Sequence, residues 1–181
     1  MKRFSGKWTV LLLFISLLFC GCSKLDKLTQ FNMDYESDYS YSAGLPINLP
    51  VQIFSPDVTT NSDQEFAIND TRKDLIESIK LTQLKLTITA PAGKTFSFLK
   101  EVHVFIAADG LPETEVANKL NIDNAVGSEI DLTVFDTELQ DYIKADKFKL
   151  KVTSTTDELL TSNVNVHIYS NFFVDAKILG I

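Results

Sequence analysis

The chain is poor in the residues that build cofactor and metal sites. Among its 181 residues are two Cys, one Trp and two His. Two cysteines cannot form a disulfide framework or a Cys-rich zinc site. Two histidines leave little room for a His-rich metal centre. The seven glycines are scattered, as Gly44, Gly93 and Gly110 illustrate, so the clustered glycines of P-loops and dinucleotide folds are missing. The G-x-S-x-G elbow and the H-E-x-x-H zinc motif are missing too. Positive charge is in deficit, with 17 Lys and Arg against 24 Asp and Glu, for a net charge of -7. That balance argues against nucleic acid as a partner. The 24 acids could in principle supply a glycosidase pair. Most of them fall in turns or on polar faces, where solvation explains them. We expect no enzyme, no cofactor and no metal. At 45% hydrophobic and 23% charged, the chain is neither disordered nor polyelectrolyte. Its length suits one domain with a full core.

The N-terminus is an address. Lys2, Arg3 and Lys7 supply three positive charges, and no acid precedes Asp26. From Trp8 to Cys20 the chain is almost wholly apolar. A basic start and an apolar run of about a dozen residues form a secretory signal, too short for a membrane span of about 20. The run ends in Phe19-Cys20-Gly21-Cys22. This stretch resembles the lipobox of bacterial lipoproteins, in which a small residue precedes the cysteine that becomes the new N-terminus. The resemblance implies cleavage after Gly21 and acyl chains on Cys22. Phe19 stands where the family usually has Leu, and Cys20 is a second thiol beside the acceptor. Removing residues 1–21 takes away three positive charges and leaves 14 basic against 24 acidic residues, a net of -10. It also removes Trp8, the only Trp, and with it the easiest sugar platform. Residues 22–28 would form a tether of roughly 20–25 Å, at about 3.3–3.6 Å per residue.

The remainder, 29–181, alternates apolar and polar residues at period 2, the signature of half-buried strands. Phe31, Met33 and Tyr35 begin the pattern. Leu84, Leu86 and Ile88 continue it, as do Val102, Val104 and Ile106. Phe148, Leu150 and Val152 follow, then Val164, Val166 and Ile168, with a last strand from Phe172 to Ile178. Between Leu45 and Phe54, Pro46 and Pro50 mark an edge strand or a broken one. Turn residues separate the runs at Ser55-Pro56-Asp57, Pro91-Ala92-Gly93, Asp109-Gly110-Leu111-Pro112 and Thr156-Asp157. The expected fold is all-β: an antiparallel, immunoglobulin-like β-sandwich of about 8–9 strands. Two short helices are expected. One lies over 71–79, where Leu75, Ile76 and Ile79 have helical spacing. The other lies over 137–143, where Thr137 and Gln140 suggest a capping box.

The two helix-to-strand units echo each other at a spacing of 64. Over positions 75–105, eight of 31 pairs are identical, among them Leu75 with Leu139, Lys85 with Lys149 and His103 with His167. Either 71–107 and 135–171 descend from one duplicated unit, or two helix–strand units share periodicity by chance. Each His lies on a strand and points away from the core by alternation. Glu101 lies two residues from His103, but no carboxylate lies two residues from His167. The pair falls short of the three or four ligands a metal needs, so a surface role outweighs a metal site. The loop from Asn121 to Asp131 is rich in oxygen ligands. It departs from an EF-hand because Ala125 holds a ligand position and Gly127 comes one place late. A polar loop entering a strand around Ile130 to Val134 is the better reading.

One stretch, Asp34 to Tyr41, sets three tyrosines among acids. Tyr35, Tyr39 and Tyr41 are the candidate binding residues, since an exposed Tyr offers both flat apolar area and a hydroxyl. Their alternation fits the buried face of a strand better. The layout as a whole resembles small outer-membrane lipoproteins of Bacteroidetes-like bacteria. That resemblance implies a lipid-anchored module at the outer membrane, meeting the membrane through Cys22. Ser23 after the cysteine favours the outer membrane, and the absence of an acidic run there favours a periplasm-facing orientation over the cell surface. A protein partner at that membrane is expected, with a glycan-binding or glycan-processing accessory as the alternative.

Overall fold

A computed structural model describes residues 29–177. The signal segment, Cys22, the tether and Ile178 lie outside the described residues. The chain is an all-β antiparallel sandwich. Among the described residues, ten strands run in the order β1 Gln30–Tyr41, β2 Pro50–Phe54, β3 Val58–Thr59, β4 Ile76–Ala90, β5 Leu99–Ala107, β6 Thr114–Lys119, β7 Glu129–Asp131, β8 Thr133–Val134, β9 Lys147–Thr156 and β10 Val164–Ala176. One sheet has the order β1-β10-β4-β7; the other has β2-β9-β5-β6-β8, with β3 also on β9. Two helices, α1 Ser62–Ile68 and α2 Gln140–Lys144, cap one end. Strands beyond the expected eight or nine come from pieces two or three residues long, which alternation cannot register.

The core forms because odd-numbered residues of β1 and even-numbered residues of β10 share the inner face. Along β10, Val164, Val166, Ile168, Phe172 and Val174 are all buried. Ser170 holds an inner position within this row, and its Oγ donates to the carbonyl of Tyr35 at 3.1 Å. That polar residue makes one 13-residue strand read as two. Aromatic rings bind the sheets together. Tyr35 meets Phe148 edge-on at 5.4 Å and Phe172 at 5.7 Å, while Tyr41 meets Phe98 at 5.2 Å. Such pairs each contribute about 0.5–1.5 kcal/mol beyond simple burial.

Two local expectations are corrected. Residues 71–79 are not a helix: a 3-10 turn covers Lys73–Leu75, and β4 begins at Ile76. The helix-like spacing of Ile76 and Ile79 comes from a register shift opposite Asp175 and Ala176, which moves the buried side to the other phase. The actual helix, α1, buries only Ser62 and Phe66, so it shows no apolar stripe. The second helix is present, but its cap differs. Thr137 and Gln140 form no box; Glu138 Oε1 accepts from Gln140 N at 3.0 Å instead.

The echo units interlock. The first strand of each unit pairs with the second strand of the other: β4 with β10, and β9 with β5. The registers differ by two residues. Val166 faces Ile88, whereas Val102 faces Ser154 and not Val152. A slip of two keeps the same side chains inward.

Candidate functional site: an open seam beside β1

A sandwich of two sheets has two lateral seams, and here they are built differently. At one seam the chain crosses between sheets from β7 to β8 and closes the gap. Leu132 N donates to Leu84 O at 2.9 Å, and Leu139 N donates to Ile79 O at 2.8 Å. Ile88 N donates to Ser128 O at 2.8 Å, and Phe135 N donates to Val116 O at 2.9 Å. Glu138 Oε1 accepts from Ile79 N at 2.9 Å, and Oε2 accepts from Ser78 Oγ at 2.7 Å. Partial burial works against the Glu138 charge, but these donors outweigh it and hold the carboxyl below its ordinary range. Segment 128–139 thus covers the edge of β4.

At the other seam, β1 ends its sheet with a strand on one side only among the described residues. Its twelve pairs with β10 run without a register shift. Across the seam stand β2 and β3, separated by Ser55-Pro56-Asp57. Ser55 bridges the break: Ser55 N donates to Leu150 O at 2.8 Å, and its Oγ accepts from Leu150 N at 3.0 Å. Two clefts open along the β1 edge. One, of about 340 Å³, is lined by Asn32, Asp34, Tyr35, Thr60 and Glu65, among others. The other, of about 530 Å³, lies between Asp38, Ser40, Phe54, Pro56 and Asn165. Phe54 is 57% exposed, an unusual state for a large aromatic side chain.

The three candidate tyrosines plug this seam from the inside. Tyr35, Tyr39 and Tyr41 are 9%, 6% and 0% exposed, so they are core residues and not a surface platform. Tyr35 Oη donates to Thr60 O across the seam at 2.8 Å. Tyr39 Oη donates to Tyr41 Oη at 3.2 Å, and Tyr41 Oη pairs with Ser154 Oγ at 2.7 Å. Burial pushes the Tyr41 hydroxyl up to about 12, and it raises those of Tyr35 and Tyr39 as well.

Between the tyrosines, the even-numbered residues of β1 face outward. Asp34, Glu36 and Asp38 form a row of exposed carboxylates on one strand face. Across on β10, Tyr169 Oη and Asn171 Nδ2 donate to Asp34 Oδ1 at 2.8 and 2.5 Å. His167 Nδ1 meets Asp38 Oδ1 at 3.0 Å. Its echo counterpart, His103, meets Glu115 Oε1 at 2.6 Å on the other sheet. Each His therefore meets a carboxylate supplied across strands, where linear spacing cannot show it. The region from Asn121 to Asp131 folds locally, with Asp123 Oδ1 accepting from Ala125 N at 2.7 Å. Among the described residues, no group of three or more His, Cys, Asp or Glu is arranged to hold a metal ion.

The outer face of the second sheet buries a charge. Lys151 is only 8% exposed, paired to Glu113, with its Nζ 4.3 Å from the Phe105 ring centre. The pairing and the cation–π contact compensate that burial. The sequence signal for this cluster is only a Lys on an alternating strand.

No family model matches the chain, and no curated protein matches it. Among solved structures, it is similar to an acid-stable capsid structure of Helicobacter pylori bacteriophage KHP30, at 13% identity and a TM-score of 0.34, over 82% of this chain and 98% of that one. It is also similar to a structure of desmodium yellow mottle tymovirus, at 17% identity and a TM-score of 0.28, over 84% and 91%. A third similarity is to FLHE, at 10% identity and a TM-score of 0.31, over 81% and 98%. Scores this low have no bearing on what the chain does.

Proposed function

We propose that the chain is a lipid-anchored, non-catalytic binding or structural module at the outer membrane, facing the periplasm. The observation that carries the reading is the N-terminal sequence: a basic start, an apolar run, and Phe19-Cys20-Gly21-Cys22. Only seven residues separate Cys22 from β1, which begins at Gln30. A domain on so short a tether works within a few nanometres of its membrane, a distance suited to holding a neighbour in place. Two or more acyl chains anchor a protein stably where one does not. No helix among the described residues is long and apolar enough to cross a membrane. The open seam supports binding as the domain's role, because it presents a long run of β1 backbone beside two clefts. The tyrosines that motivate a glycan-binding alternative have their rings in the core.

Phase partition of membranes in a cloud-point detergent tests the anchor. The parent chain is expected in the detergent phase, labelled by a palmitate analogue, and Cys22→Ser in the aqueous phase. Equal partitioning of the two would end the anchor reading. An affinity pull-down of the full chain from detergent extract tests the binding role. Recovery of a stoichiometric protein partner is expected, and a clean eluate would count decisively against it.

A further inference from the structure

We propose that the free edge of β1 accepts an extended segment of a partner protein as an added strand, with Lys or Arg at alternate positions of that segment. The inference deepens the binding-module reading and rests on it.

Proteins normally blunt their sheet edges, because unpaired backbone groups recruit other chains. Three of the four sheet ends here are blunted. The ends at β7 and β8 are three and two residues long, and the chain that links them covers β4. The end at β2 and β3 is preceded by Pro46, begins on Pro50 and is broken at Pro56. The fourth end, β1, has twelve residues, no proline and no bulge. Twelve residues span about 40 Å at roughly 3.3 Å each. Strand addition to such an edge is a recurring mode of peptide recognition: backbone bonds give affinity and alternate side chains give specificity.

Both faces of the edge specify the guest. On the outer face, Asp34, Glu36 and Asp38 recur at every second residue, the repeat of a strand. A guest strand in register brings its outward side chains beside this row, where cations are favoured and anions repelled. The Asp38 side chain is 75% exposed and has room for a second partner besides His167. The guest's other side chains lie beside the two clefts along the edge, where exposed Phe54 and Pro56 offer apolar contact. The guest therefore alternates basic and apolar residues. A second copy of this chain does not fit. Antiparallel pairing of two β1 strands centred on Glu36 sets Asp34 against Asp38 twice and Glu36 against itself, three like-charge pairs.

The test uses the full chain in detergent and three fluorescent seven-residue peptides. One alternates lysine and valine, one alternates glutamate and valine, and the third is the lysine peptide with alternate backbone nitrogens methylated. Fluorescence anisotropy should show the lysine peptide bound, the glutamate peptide unbound, and the methylated peptide weaker by about tenfold or more. Amide hydrogen exchange should show new protection on β1. The variant Asp34→Asn/Glu36→Gln/Asp38→Asn should lower affinity by about tenfold, with an unchanged circular dichroism spectrum. Equal binding of the methylated peptide would reduce the effect to charge attraction and overturn strand addition. Protection on another element, or self-association through β1, would overturn it too. These peptide arms need only the parent chain, so they decide the matter even where the triple variant misfolds. A pull-down partner together with failed peptide binding would leave the module reading standing and remove β1 as its docking edge.

Discussion

The two lateral seams of the sandwich meet the same physical problem and answer it differently. On the β7–β8 side, backbone crosses from sheet to sheet, and four amide–carbonyl bonds tie it down. On the β1 side, side-chain bonds span the gap along the strand, from Tyr35 to Thr60 and from Tyr41 to Ser154, and the backbone crosses only past the end of β1, between Tyr41 and Pro50. Backbone closure leaves no edge to recruit a partner. Side-chain closure keeps water out of the core and leaves the β1 backbone free. The first seam is therefore built for stability, and the second carries the docking edge we propose.

The largest test of that division is Leu139→Ala. Leu139 is fully buried beside β4, at the point where the covering segment meets it. Removing a buried Leu side chain costs about 2–5 kcal/mol. Urea unfolding should show a loss of that size, with the binding of a β1 partner intact in the fraction still folded. A loss under about 1 kcal/mol would mean that the covering segment is not part of the cooperative core.

Next in size is Tyr41→Phe on the open side. The ring stays, but Ser154 Oγ and Tyr39 Oη lose their partner. A buried polar group left unpaired costs about 1–3 kcal/mol, so a loss near 2 kcal/mol is expected. If thermal melts of the variant match the parent, the tyrosine chain is filling and not fastening the seam.

A third test returns to the closed side and uses pH. The Glu138 carboxyl titrates below its unfolded value because Ile79 N, Ser78 Oγ and Gln140 N donate to it against the opposing effect of burial. A depressed carboxylate stabilises the fold above the unfolded range, and that contribution is lost as pH falls through the folded value. Glu138→Gln should therefore cost about 1 kcal/mol near neutral pH, and the parent and variant curves should converge in acid. A gap that persists unchanged into acid would show that shape, and not charge, matters there.

How far these seams could be read beforehand follows from what alternation encodes. Period 2 places Met33, Leu86, Val104 and Val166 on the inner face, and all are buried. It also places the punctuation correctly, since Ser55-Pro56-Asp57 is where the β2–β3 edge breaks. Alternation fails where a register shift changes phase, and so Ile76 and Ile79 read as a helix. It fails again where a polar residue is buried within a strand, as Ser170 is. It shows that Tyr35, Tyr39 and Tyr41 share a face, but not that the face looks inward across a seam. Whether a strand lies at an edge depends on pairing between residues far apart, such as Gln30 with Asp175. The acids of β1 were visible from the start; the edge that gives them meaning was not.

The smallest expected effect sharpens the comparison most. The acidic row should keep β1 from pairing with its own copy. Asp34→Lys turns two of the three like-charge pairs in that antiparallel dimer into opposite-charge pairs. Each cross-strand pair contributes roughly 0.2–1 kcal/mol, so the two changed pairs should raise the self-association constant by about two-fold to thirty-fold. The variant also gives up the bonds from Tyr169 and Asn171. These lie at an exposed site, so monomer stability should change by about 0.5 kcal/mol or less. Sedimentation equilibrium across a wide concentration range should show the parent monomeric and the variant shifting toward dimer. Adding salt should weaken the variant dimer, because its new pairs are solvent-exposed. Raised association that salt does not touch would place the contact away from β1. No change at all would mean that something other than charge guards the edge.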